Sequence, residues 1–225
     1  MTGTTRRATR RAARRPAPSR ASVRLAVLFG LGSLCFAAGS VPLYFTQVSA
    51  AVAAWTFVAG SVCFTTAAAF QLGGTPRADR TDWWASLVQL AGTLCFNVST
   101  YAATRDLGAA GSRRLVWAPD VYGSICFLVA SALAVAAVRA QARTEPGHAV
   151  DRRVAALNLA GSVAFGAAAV AARYVGGTTE VTNVALVNLG TFAGAVCFLA
   201  GAALLPVASV RAAADPAGGG GPGGA

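Results

Sequence analysis

The side chains of this 225-residue chain that could do chemistry are few and scattered. There are eight carboxylates and one histidine, His148, which stands beside Pro146 and Gly147 with no catalytic partner in sequence. No hydroxyl or thiol nucleophile has a base at a spacing that would activate it, and no pair of carboxylates is set up for acid–base work. Phosphate-cradling loops need glycines at a strand-to-helix turn, whereas most glycines here lie inside apolar runs. The five cysteines (Cys35, Cys63, Cys95, Cys126, Cys197) are potential soft-metal or redox ligands. No CxxC occurs, however, and a free thiol also packs well as a compact apolar group. The expectation is a protein that is not an enzyme, with no cofactor and no metal.

What remains are polar residues embedded in apolar sequence: Gln89, Asn97, Asp120, Asn158, Thr191 and Asn188. Such groups are expensive in a membrane and often functional. One reading is a polar interior that passes a small solute or ion; the expected one is hydrogen bonding between helices that fixes packing register. Asp120 follows Pro119, a pairing typical of a helix first turn, where the carboxylate would cap exposed N–H groups near the outer interface. Its alternative role is a proton or cation site.

The elements that must position these residues follow from composition. Apolar residues make up 55% and charged residues 12%, against about 25% charged in a soluble domain. With a mean hydropathy of +0.56, an ordinary soluble globular domain is excluded. A spanning helix needs roughly 20 mostly apolar residues. Six segments qualify, at about 23–45, 48–72, 83–104, 116–138, 154–175 and 182–207, so the expected fold is all-α, a polytopic membrane protein with six spans as three hairpins. Residues 1–22 form an arginine-rich tail and 208–225 a Gly/Pro-rich tail, both expected to be disordered and cytoplasmic.

The formal charge of +11 belongs mostly to that first tail and gives an orientation. With the N-terminus inside, 15 arginines lie on the cytoplasmic side and four (Arg105, Arg113, Arg114, Arg173) outside, as the positive-inside rule requires of a bacterial plasma-membrane protein. Tryptophans and tyrosines mark the same borders. The competing reading of the first run as a cleaved secretory signal is disfavoured by its length. No folded nucleic-acid-binding module accompanies the arginines, so the expected partners are the lipid bilayer and a second copy or another membrane protein.

One phrase recurs in every span: GSLCF from Gly32, GSVCF from Gly60, GTLCF from Gly92, GSICF from Gly123, GSVAF from Gly161 and GAVCF from Gly194. Glycine and phenylalanine four residues apart share a helix face, which predicts a packing seam of Gly32, Phe36, Gly60, Phe64, Gly92, Phe96, Gly123, Phe127, Gly161, Phe165, Gly194 and Phe198. The glycine admits a neighbouring helix, and the phenylalanine fills the groove that a neighbouring glycine leaves. Paired apolar helices carrying this Gly-Ser-x-x-Phe phrase resemble the YrhK-like family of small bacterial membrane proteins. The resemblance covers about residues 23–207 as three two-helix units and implies the fold but no activity. Ala195 and Ala164 depart from the phrase. The overall expectation is a non-enzymatic structural or partner-binding membrane component, with a small-solute or ion transporter as the alternative.

Overall fold

The computed structural model describes residues 17–144 and 148–214. Residues 1–16 of the arginine-rich tail, residues 215–225 of the Gly/Pro-rich tail, and residues 145–147 lie outside the described residues. The fold is all-α. The helices are α1 (Arg20–Gly39), α2 (Pro42–Gln47), α3 (Ala50–Gly74), α4 (Arg80–Ala102), α5 (Ala109–Ser112), α6 (Ala118–Thr144), α7 (Ala149–Ala171) and α8 (Val184–Ala214). A π-helical turn, Arg113–Trp117, joins α5 to α6 without a break. Among the described residues the only β pairing is one isolated antiparallel bridge, Tyr174 with Val181.

The tail expected to be disordered from residue 208 is helical as far as Ala214, and the N-terminal one expected to residue 22 gives way to helix at Arg20. Two further boundaries differ from the sequence expectation for physical reasons. The first span was expected to run to Phe45, but α1 stops at Gly39 because Val41, preceding Pro42, adopts an extended conformation (φ −84°, ψ 122°). Pro42 then starts the short α2, where its missing N–H costs nothing. The fourth span was expected from Val116, yet the chain is helical from Ala109 onward. Pro119 sits inside this helix because the preceding turn is widened: the Ala118 N–H donates to the Arg113 carbonyl, five residues back. That register relieves the clash a proline ring makes in a regular helix.

Among the described residues, five helical segments are long and apolar enough to cross a membrane: Arg20–Gly39, Ala50–Gly74, Ala109–Arg143, Ala149–Ala171 and Val184–Ala214. The third predicted span, α4, is not among them, since it holds Asp82, Gln89, Thr93, Asn97, Ser99 and Thr100. The six long helices close into a ring. In order around it, α1 packs on α3, α3 on α4, α4 on α6, α6 on α7, α7 on α8, and α8 returns to α1. Hydroxyl caps start two of them: Ser19 Oγ accepts from the Ser22 N–H, and Ser49 Oγ from the Val52 N–H.

The ring is inside-out relative to a soluble bundle. Its buried residues are glycine, alanine, serine, threonine and phenylalanine, with Val150 the one buried aliphatic side chain larger than alanine among the described residues, while most of the exposed large apolar side chains are leucine and valine. The aliphatic third residue of the repeated phrase is exposed in all six helices, at 51% for Leu34, 52% for Val62, Leu94 and Ile125, 56% for Val163 and 43% for Val196. A surface like this suits hydrocarbon and not water, and small residues between helices are what lipid-embedded packing demands.

Candidate functional site

The repeated phrase builds the centre of the ring. Within each hairpin the two glycines face each other, and each glycine takes the partner's phenylalanine. A Cβ placed on Gly32 would lie 2.9 Å from Phe64 Cδ2, and one on Gly60 2.8 Å from Phe36 Cδ2. The same exchange joins Gly92 with Phe127 and Gly123 with Phe96 across α4 and α6. In the third hairpin Gly161 meets Phe198 and Gly194 meets Phe165 across α7 and α8. Cysteine takes part in this packing: Cys35, Cys126 and Cys197 turn their Cβ atoms to Gly60, Gly92 and Gly161. All five thiols are free and half-buried, and no group of three metal-ligating side chains exists among the described residues.

The six phenylalanines then meet in the middle. Their ring centroids lie 5.2 to 6.3 Å apart, mostly edge to face. Phe64, Phe127 and Phe198, one from the second helix of each hairpin, form a closed triangle. Phe165 touches both Phe36 and Phe96, bringing together the three from the first helices. Most of these contacts join helices that are not neighbours in the ring, so the rings cross its centre as a septum.

On each side of the septum lies a vestibule. The proximal one, at the end where α1 begins and α8 ends, has a volume of about 320 Å³. Its floor is Phe29, Phe64, Phe127 and Phe198, and its polar wall is Gln71, Gln89, Ser131 and Asn158. It merges with a cleft of about 310 Å³ that shares those four polar residues and adds Asp79, Asp82 and Ser86. Asp151 completes the rim and approaches His148 Nδ1 at 3.2 Å. The distal vestibule, about 200 Å³, has Phe36, Phe57 and Phe165 at its floor and Ser99, Asp120, Tyr174 and Thr191 around it.

The predicted polar residues therefore divide. Gln89 and Asn158 line the proximal vestibule, and among the described residues neither carboxamide has a hydrogen-bond partner. Asp120 lines the distal one. Asn97 does neither: its Nδ2 donates to Thr65 Oγ1 at 2.9 Å across the α3–α4 seam, leaving Oδ1 unpaired. Asn188 lines neither vestibule. Asp120 falls in the first turn of α6, as expected beside Pro119, but that turn is not a free helix start. Asp120 stands eleven residues into a continuous helix, so the free N–H groups of a helix start are at Ala109 and not beside it. The π turn ahead of it is tied down from both sides: Ser99 Oγ donates to the Val116 carbonyl at 2.8 Å, and Trp117 Nε1 to the Ala169 carbonyl at 3.0 Å.

Sequence reasoning missed Gln71, Ser131 and a second periodic position. The residue eight places after the motif glycine meets the motif hydroxyl of the neighbouring hairpin, as Thr100 Oγ1 with Ser61 Oγ at 3.0 Å and Ser131 Oγ with Ser162 Oγ at 2.8 Å. Where α8 meets α1 the corresponding pair is Ala195 and Ser40, and the Ser40 hydroxyl keeps only its bonds to its own helix, to the Phe36 carbonyl as Thr100 bonds the Phe96 carbonyl, and to Ala37.

The charges are distributed in one direction. Four of the chain's eight acidic residues (Asp79, Asp82, Asp120, Asp151) line the two vestibules and the cleft beside the proximal one, while among the described residues no arginine lines them. At the proximal mouth the Asp82 carboxylate accepts a hydrogen bond from Gln141 Nε2 at 3.3 Å. Comparison with family models, curated proteins and solved structures gives no match for this chain.

Proposed function

We propose that the chain is a six-span bacterial plasma-membrane protein built as three YrhK-like hairpins, with both termini cytoplasmic. On this reading α4 is the third span although its hydropathy is lower, because its polar groups turn to seams and vestibules instead of lipid. Its 23 residues extend about 34 Å, enough for the hydrocarbon core. The proximal vestibule then opens to the cytoplasm and the distal one to the outside.

The function the geometry supports best is non-enzymatic passage of a small solute or ion, with cations favoured. The observation that carries it is the charge contrast: in a chain of net charge +11, the described residues that line both central vestibules include carboxylates and no arginine. Two cavities carrying polar and acidic groups, on opposite sides of one apolar seal, are also the parts that alternating access or hydrophobic gating requires. Opening would separate the two phenylalanine layers by rocking the hairpins. A second reading, a structural or partner-binding component, draws on the closed septum and on Asn97, which serves a packing seam.

Flux into vesicles tests the choice. Purified protein in liposomes under an imposed potential is expected to pass sodium, potassium or a small organic cation, and Asp120→Asn to reduce the rate severalfold. Vesicles as tight as protein-free ones to all of these would overturn the passage reading in favour of the structural one.

A further inference from the structure

We infer that the proximal vestibule is a binding site for an organic cation, a quaternary or protonated amine attached to an apolar group. This rests on the reading that the vestibules admit cations and adds the class of ligand. Three features at different depths select that chemistry. The floor of Phe29, Phe64, Phe127 and Phe198 offers aromatic faces and edges to an apolar body, and aromatic faces attract a cation. The wall presents the Gln89 and Asn158 carboxamides, which make no hydrogen bond within the described protein and so retain their capacity for a ligand or its water. The rim carries Asp79, Asp82 and Asp151 with no arginine among the lining residues, which disfavours an anion.

The space is built for this wall. A Cβ on Gly201 would lie 2.8 Å from Asn158 Oδ1, so glycine at 201 lets the carboxamide lie against α8 at the edge of the cavity. A bare metal ion is a poor fit, because hard cations need six or more oxygen ligands close together and most of this lining is carbon. A volume of about 320 Å³ above an apolar floor calls for a ligand with substantial hydrocarbon.

The test is equilibrium binding to the full chain in nanodiscs, with benzyltrimethylammonium as the probe and neopentylbenzene, its uncharged carbon isostere, as the control. The cation is expected to bind at least tenfold tighter than the isostere. Asn158→Leu and Gln89→Leu are each expected to weaken it severalfold. The rim variant Asp82→Asn with Asp151→Asn removes two charges while keeping side-chain size and an oxygen for Gln141 and His148 to bond, and is expected to weaken it tenfold or more in protein that remains folded. Equal affinity for the isostere, or wild-type affinity in the folded rim variant, would overturn the inference. Binding without flux would leave this site standing and remove the passage reading; flux without binding would do the reverse.

Discussion

Two glycine-to-alanine substitutions in one hairpin separate close packing from helix propensity. At Gly194 on α8, an added Cβ would lie 2.8 Å from Phe165 Cδ2 and 2.9 Å from the Gly161 carbonyl oxygen. The carbonyl belongs to the facing backbone and cannot swing away, so α7 and α8 must part. Overpacking of this kind costs about 1–3 kcal/mol, and removing a helical glycine returns about 0.5–1 kcal/mol. Gly194→Ala is therefore expected to destabilise the protein by about 0.5–2 kcal/mol. Gly166 lies on α7, five residues after Gly161, with nothing within 4 Å of its added Cβ. Gly166→Ala is expected to stabilise by about 0.5–1 kcal/mol through propensity alone. Reversible unfolding of the purified protein in mixed detergent micelles measures both. Equal effects of the two substitutions, or a stabilised Gly194→Ala, would refute the claim that the repeated glycine is there for helix approach.

Other expectations follow from the seams. A double-mutant cycle on Ser131→Ala and Ser162→Ala, read by the same unfolding assay, should give a coupling of about 0.6 kcal/mol, the typical value for hydroxyl pairs between membrane helices. In that register Ser124, whose buried Oγ has no partner among the described residues, faces Ala169, so Ala169→Ser should be neutral or stabilising by a few tenths of a kcal/mol. Replacing all five cysteines with alanine should leave folding and any cation flux in place; retained expression with abolished flux would put the thiols in the mechanism.

How far the sequence reaches can be seen residue by residue. The i, i+4 spacing of glycine and phenylalanine is readable as a face because helix geometry is local, and the structure places Phe64 against Gly32 and Phe36 against Gly60. That six such phenylalanines meet across one ring depends on closing α8 onto α1, a long-range contact no spacing encodes. Gln71 and Ser131 escape notice for the same reason: their importance lies in facing Gln89 and Asn158 from other helices. Asp120 misleads because proline before aspartate usually marks a helix start, whereas the π turn at Arg113–Trp117 absorbs the proline inside a helix. The end of α1 is the opposite case, since Pro42 is visible in the sequence but the long apolar run outweighs it when hydropathy alone is counted.

The proposed passage needs the two vestibules to open to opposite sides of the membrane and to be sealed from each other by phenylalanine. Substituted-cysteine accessibility in a cysteine-free background tests this directly, with Asn158→Cys reporting the proximal vestibule and Thr191→Cys the distal one. A membrane-impermeant thiol reagent is expected to modify Asn158→Cys only from the cytoplasmic face and Thr191→Cys only from the outer face. Modification of both from one face, or of either from both faces, would contradict it.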